Sequence, residues 1–89
     1  MQSLVLSSLS NKTRLKLLLC LSESEKNVTQ LTNNCGLSQS AVSQHLEKLR
    51  SSGLVVTKRE GKEIFYSLKY PHKTHTISKG LLQFLKEVD

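Results

Sequence analysis

The 89-residue sequence predicts a mainly α-helical domain with one small β-hairpin, in the order α-α-α-α-β-β-α. Three observations carry that expectation. Apolar residues recur at helical spacing along 11–22, 39–51 and 74–88. The period changes in LVVTKREGKEIFYSL, where β-branched and aromatic residues flank Glu60-Gly61-Lys62. Gly36 and Gly53 fall just past the ends of two helical segments, where a left-handed residue closes a helix at little steric cost.

The length suits one domain over residues 1–89 and a modest core. No stretch approaches the ~20 apolar residues of a spanning helix. The start, MQSLVLSSLSNK, lacks the basic region and long apolar run of a secretory signal, so a cytoplasmic protein is expected. Thirteen Lys and Arg against seven Asp and Glu give a net charge of +6, which favours a polyanionic partner. Cys20 and Cys35 form neither a CxxC pair nor a ligand cluster.

Residues 1–9 hold Leu4, Val5, Leu6 and Leu9, enough for a short apolar helix. Ser10 is the expected N-cap of NKTRLKLLLCLS, a helix apolar on most sides and therefore central to the core. The polar run SESEKN reads as a loop. Thr29 is then the expected cap of QLTNNC, which Gly36 ends. Leu37 and Ser38 follow at once, so two helices meet through a tight glycine joint, a helix-turn-helix.

The helix over 39–51 is the best specified. Ser38 caps it, Leu37 and Val42 can form a hydrophobic staple, and Gly53 with Leu54 can close its far end. Ala41 stands where a capping box would need Glu or Gln. The hairpin over 54–68 follows, with Gly61 in its turn. Pro71 is expected to break the chain before a last helix over 74–88. That order is a winged helix-turn-helix.

On a helical wheel Val42, Leu46 and Leu49 face inward, whereas Ser40, Ser43, Gln44 and Glu47 face outward. A face built for stability alone would favour Lys, Glu and Ala. Hydroxyls and carboxamides instead match the donor and acceptor pattern of the major groove, read by the first turns of such a helix. The hairpin tip adds Lys58, Arg59 and Lys62, within reach of a phosphate or the adjacent minor groove. His45 lies at the edge of the apolar arc, where a packed ring bonded to backbone is one reading.

The segments LSNKTRLKLLLCL, VTQLTNNCGLSQSAVSQHLEKLRSSGLV and REGKEIFYSL resemble, in that order and spacing, the ArsR/SmtB family of bacterial winged-helix repressors. The resemblance covers residues 9–68. It implies a homodimeric transcriptional regulator, a repressor, on an operator with dyad symmetry. By position it places Thr29, Ser38, Gln39, Ser40, Ser43, Gln44 and His45 at double-stranded DNA, His45 near a phosphate, with Lys58, Arg59 and Lys62 in the wing. The chain departs from the family at Gln44 and Glu47, where many relatives carry a basic residue.

The resemblance also implies that the terminal segments, 1–9 and 74–88, form the dimer interface. The side chains expected there are Leu4, Leu6, Ile77, Leu81, Leu85 and Val88, an apolar stripe too large for so small a domain to leave bare. Phe84 or Leu82 is expected to turn inward, and Gly80 leaves room for a close approach.

Metal sites known in the family are not matched. Where one site has a C-x-C pair, Asn27 and Thr29 stand, so no soft thiolate is offered. His72 and His75 are the histidines near the last helix, and without partners they make no zinc site. No metal, no cofactor and no enzymatic centre is expected, because Gly-rich phosphate loops, paired carboxylates and activated nucleophiles are all missing. Cys20 reads as a small apolar filler. The competing reading is a winged-helix module that binds protein rather than DNA, favoured by neutral Gln44 and acidic Glu47.

Overall fold

The computed structural model describes residues 2–88, and within them the side chains of all but 2–4, 35, 87 and 88. The elements run α1 (Gln2–Leu9), α2 (Lys12–Glu23), α3 (Val28–Cys35), α4 (Gln39–Ser51), β1 (Val55–Glu60), β2 (Glu63–Leu68) and α5 (Pro71–Val88). The order is the expected winged helix-turn-helix. Three boundaries differ from the expected ones, each for a local hydrogen-bonding reason.

Asn11, not Ser10, caps α2. Its side chain accepts from the amide of Arg14 at 2.9 Å, while the Ser10 hydroxyl donates backwards to the Ser7 carbonyl at 2.7 Å. Asn27, not Thr29, caps α3. Its side-chain oxygen accepts from the Gln30 amide at 2.8 Å, and the Gln30 carboxamide accepts from the Asn27 amide at 2.9 Å. This reciprocal capping box satisfies two orphan donors, which Thr29 two residues later does not. Pro71 opens α5 rather than interrupting the chain before it. A first-turn amide has no helical acceptor, so its loss costs nothing there, and the first ladder bond runs from Thr74 to the Tyr70 carbonyl at 2.9 Å.

The core forms around α2. Leu15, Leu17, Leu18 and Leu21 of that helix are buried, and Leu31, Val42, Leu46, Leu49, Leu54, Val55 and Leu68 join them from the other elements. The small buried residues Thr74 and Ser78, with Leu82, form the inward face of α5, which packs against α2. Leu82 therefore turns inward as expected, whereas Phe84 is 60% exposed. Leu81 and Leu85 are partly buried, and Ile77 is 47% exposed. Leu4 and Val88, expected on the same stripe, have side chains outside the described residues.

The joints on either side of α4 fix its placement. Gly36 ends α3 in the left-handed region at φ +68°, a conformation that a Cβ would penalise, and its amide reaches the Thr32 carbonyl at 2.9 Å. Two residues later Ser38 starts α4, accepting from the Ala41 amide at 3.1 Å. The far end closes with paired bonds, Leu54 amide to Leu49 carbonyl and Gly53 amide to Arg50 carbonyl, both 3.1 Å. Those two bonds are the Schellman pattern, and they aim the chain into β1.

The strands pair antiparallel in the register Val55↔Leu68 to Glu60↔Glu63, leaving Gly61 and Lys62 as a two-residue turn. Gly61 has φ +63° and Lys62 is not at positive φ, which fits a type II′ hairpin turn. Lys26 pairs with Tyr66 through bonds of 3.0 and 2.8 Å, so the segment before α3 covers part of the free edge of β2.

Leu46 is fully buried between α4 and the α2 leucines. Leu46→Ala should lower the unfolding free energy by about 2–5 kcal/mol, the range for leucine truncation in a closed core. Equilibrium denaturation in urea checks this, and an unchanged midpoint would place Leu46 outside the core.

Candidate nucleic-acid interface

Burial of Val42, Leu46 and Leu49 determines the rotation of α4 about its axis. The opposite side of the helix then belongs to Ser40, Ser43, Gln44 and Glu47, with Gln39 at its leading end; the uncharged four, Gln39, Ser40, Ser43 and Gln44, are all exposed. None of these four side chains is held by a hydrogen bond among the described residues. Their donors and acceptors are therefore uncommitted, and no charge stands among them. Ser38 is also exposed, and its oxygen accepts from the first turn while the hydroxyl proton stays free to donate.

Glu47 does not stand alone on this face. Arg50 grips it in a forked pair, with Nε donating to Oε2 at 3.2 Å and Nη2 donating to Oε1. The bond from Arg50 holds the Glu47 carboxyl below its ordinary range and raises the guanidinium above its own. The negative charge that would repel phosphate is compensated within the helix.

His45 is half-buried and contacts a side chain rather than backbone. Its Nδ1 lies 3.5 Å from Nη1 of Arg14, in the first turn of α2. Burial of the ring, and then the Arg14 charge, push its pKa below the ordinary imidazole value. Sequence reasoning missed Arg14. The available signal was a cation in the first turn of an otherwise leucine-rich helix, where its charge needs acceptors from elsewhere in the fold.

The hairpin tip separates its cations. Pairing puts Lys58 and Glu60 on one face, and Lys58 Nζ meets Glu60 Oε1 at 2.8 Å. The Glu60 bond raises the Lys58 pKa, so the ammonium is held protonated beside a carboxylate. Arg59 lies on the other face opposite Ile64, and Lys62 occupies the turn. Neither has an ion-pair partner among the described residues. Thr29 is exposed in the first turn of α3, and it shares a shallow groove of about 230 Å³ with Lys62, Asn27 and Tyr66. The fold thus brings the helix-turn-helix and the wing tip together at one place.

His72 and His75 lie within the first turns of α5, not in a loop before it. His75 Nδ1 meets the Ser22 hydroxyl at 3.0 Å, itself bonded to the Leu19 carbonyl. Among the described residues no group of three or more His, Cys, Asp or Glu side chains converges as a metal site would require. No helix among them is long and apolar enough to cross a membrane.

Comparison with known proteins decides the family. The model of bacterial regulatory proteins of the arsR family matches residues 11–57. The chain belongs to the ArsR family. Among its relatives, the transcriptional activator HlyU of Vibrio cholerae is 44% identical over 64 residues, spanning 72% of this chain and 59% of the relative. Nodulation protein NolR of Rhizobium meliloti is 48% identical over 62 residues, spanning 70% of this chain and 51% of the relative. This ArsR-family chain thus spans between half and three-fifths of the length of these curated relatives.

Solved structures agree in fold. NolR from Sinorhizobium fredii superposes with a TM-score of 0.80 at 40% identity, covering 93% of this chain and 82% of that one. A homodimeric winged helix-turn-helix DNA-binding domain from Mycobacterium bovis gives 0.78 at 27% identity, covering 96% and 77%. The fold of this ArsR-family chain is a winged helix-turn-helix.

The depressed His45 pKa makes stability pH-dependent with a definite sign. The unfolded chain takes up a proton near pH 6.5, the folded one only at lower pH, so His45 contributes stability above 6.5 that is lost as pH falls through the folded value. Urea denaturation at about pH 7.5 and about pH 5.5 should show wild type losing more stability than His45→Gln. Parallel curves would exclude the effect.

Proposed function

We propose that this chain is a sequence-specific, double-stranded-DNA-binding transcriptional regulator, acting as a homodimeric repressor on a palindromic operator. The outward face of α4 carries the reading: Gln39, Ser40, Ser43 and Gln44 are exposed, uncharged and uncommitted, on a helix whose rotation the core sets. Placed in the major groove, these side chains meet base edges, while Thr29, Ser38 and His45 approach the flanking phosphates. Arg59 and Lys62 lie on the neighbouring backbone or minor groove, and Lys58 adds to them as far as Glu60 leaves it charge. The relative HlyU, named a transcriptional activator, and the basic balance of the chain support a regulator that binds DNA. Catalysis has no place in it, and the protein works in the cytoplasm, where the DNA is.

One helix and one wing make few contacts, so tight binding calls for two copies on half-sites about 34 Å apart. The terminal helices offer the surface. Leu6, Ile77 and Phe84 are 68, 47 and 60% exposed. Beside Leu6 runs an apolar groove of about 540 Å³, lined by Val5, Leu6, Leu54 and Tyr70 among others. A second lobe adds Leu9 and Ile77. A Cβ at Gly80 would meet nothing, so the helix has room there for a neighbour. A structural relative that is homodimeric supports pairing as such.

Two measurements test the assignment. Against a duplex selected by wild type from a random pool, Ser43→Ala or Gln44→Ala should cost about 1–3 kcal/mol and relax preference at one position. Lys62→Ala should weaken all duplexes alike and lower the salt slope by about one counterion. If both kinds of change leave affinity untouched, DNA is not read by this face. Phe84→Glu should convert the dimer to monomer in sedimentation velocity and leave the helical circular dichroism intact. A wild-type chain that sediments as a monomer at all concentrations would refute the dimer.

A further inference from the structure

Arg14 joins elements that are far apart in function. Its Nη2 donates to the Ser7 carbonyl at 2.8 Å and its Nε donates to the Ser8 carbonyl at 3.0 Å. Both carbonyls belong to the last turn of α1, where the helix supplies no donors of its own. The remaining nitrogen, Nη1, lies 3.5 Å from His45 Nδ1, at the edge of the outward face of α4. One guanidinium therefore holds the end of a terminal helix and the middle of the candidate reading helix. Asn11 secures the backbone at its base by accepting from the Arg14 amide.

The contact suits one tautomer of the ring. A guanidinium only donates, so a hydrogen bond here needs a lone pair on the nitrogen facing it. Nδ1 is then unprotonated, and the ring proton resides on Nε2. The charges around His45 agree with a neutral ring. From α2 the acting charge is Arg14 itself, and α1 (QSLVLSSL) contributes no ionisable side chain. On α4 the nearest carboxylate, Glu47, is engaged by Arg50. Nothing on these elements favours an imidazolium.

We propose that Arg14 is a positioning residue for DNA readout: through His45 it locks α4 against the end of α1 and leaves Nε2–H as the single donor of that ring. The proposal rests on the DNA-binding reading above. Because α1 also belongs to the proposed dimer interface, the same guanidinium ties the orientation of the His45 ring to the seating of the second copy. A shift of α1 that pulls Ser7 and Ser8 away draws Arg14 from the ring and releases that side chain, while the core keeps the rotation of α4.

The test uses the full chain, a duplex selected from a random pool by wild type, and a scrambled duplex of equal length. Arg14→Lys keeps the charge but loses the fork. It should weaken the selected duplex about tenfold, the size of one lost polar contact, and the scrambled duplex by less than about twofold. On the selected duplex His45→Leu should lose about as much, and Arg14→Lys with His45→Leu should lose no more than the worse single change. His45→Gln, which retains an acceptor, should recover part of the His45→Leu loss. In the free protein, nitrogen NMR should find His45 with Nδ1 unprotonated, and Arg14→Lys should give mixed tautomers.

Additive losses, equal losses from Arg14→Lys on both duplexes, or a wild-type ring already protonated at Nδ1 would each overturn the proposal. If Arg14→Lys fails to fold by circular dichroism, the His45 pair on its half-exposed site, with the wild-type tautomer, still decides it. A wild-type chain that enriches no duplex overturns the DNA reading as well. A chain that binds its selected duplex while the losses add overturns the clamp alone.

Discussion

The seating of Val42, Leu46 and Leu49 on the leucines of α2 governs everything presented at the surface of α4. A helix of that length has one rotational freedom that its own hydrogen bonds leave open, and burial of a narrow apolar edge removes it. The face opposite the edge follows without further choice. Gln39, Ser40, Ser43 and Gln44 are exposed because three other residues are buried, and the two glycine joints hold the helix at its ends. The apolar edge is also why α2 must be hydrophobic on most sides: it supports α4 on one flank and α5 on another.

The charges on the candidate interface are largely settled in local pairs. Glu47 is taken up by Arg50, and Lys58 by Glu60. Such exposed pairs contribute little to stability, because water and salt screen them. Their effect is on what the surface offers a partner. The first turns of α4 stay neutral, while Arg59, Lys62 and Glu63 at the wing stand outside the ion pairs of the described residues. Neutral donors and acceptors near two such cations suit a polyanion whose sequence must be distinguished, since phosphate contacts position and base contacts specify.

The element order and the outward face of α4 were legible in advance, since both follow from periodicity and from residues adjacent in the chain. The LSQSAVSQHL segment carries its cap, its staple and its polar face in ten residues. The caps of α2 and α3 were misread because Ser10 and Asn11 compete for one role, as do Asn27 and Thr29. At α2 the Ser10 hydroxyl is drawn back to the Ser7 carbonyl, which leaves the cap to Asn11. Asn27 had Gln30, a reciprocal bond visible in the sequence as a polar residue followed three places later by Gln. Pro71 was read as a breaker, although the first turn of a helix accepts proline freely.

Sequence alone determined the helix-turn-helix, the hairpin with its glycine turn, and the residues that could read a groove. Those features depend on contacts within a few positions, where spacing is geometry. Tertiary structure alone decided that Arg14 meets His45 across 31 positions, that Lys62 lies beside Thr29, and that Phe84 faces out while Leu82 faces in. These are outcomes of how α1, α2, α4 and α5 stack. Two faces of one amphipathic helix compete for burial, and the neighbour that arrives through the fold makes the choice.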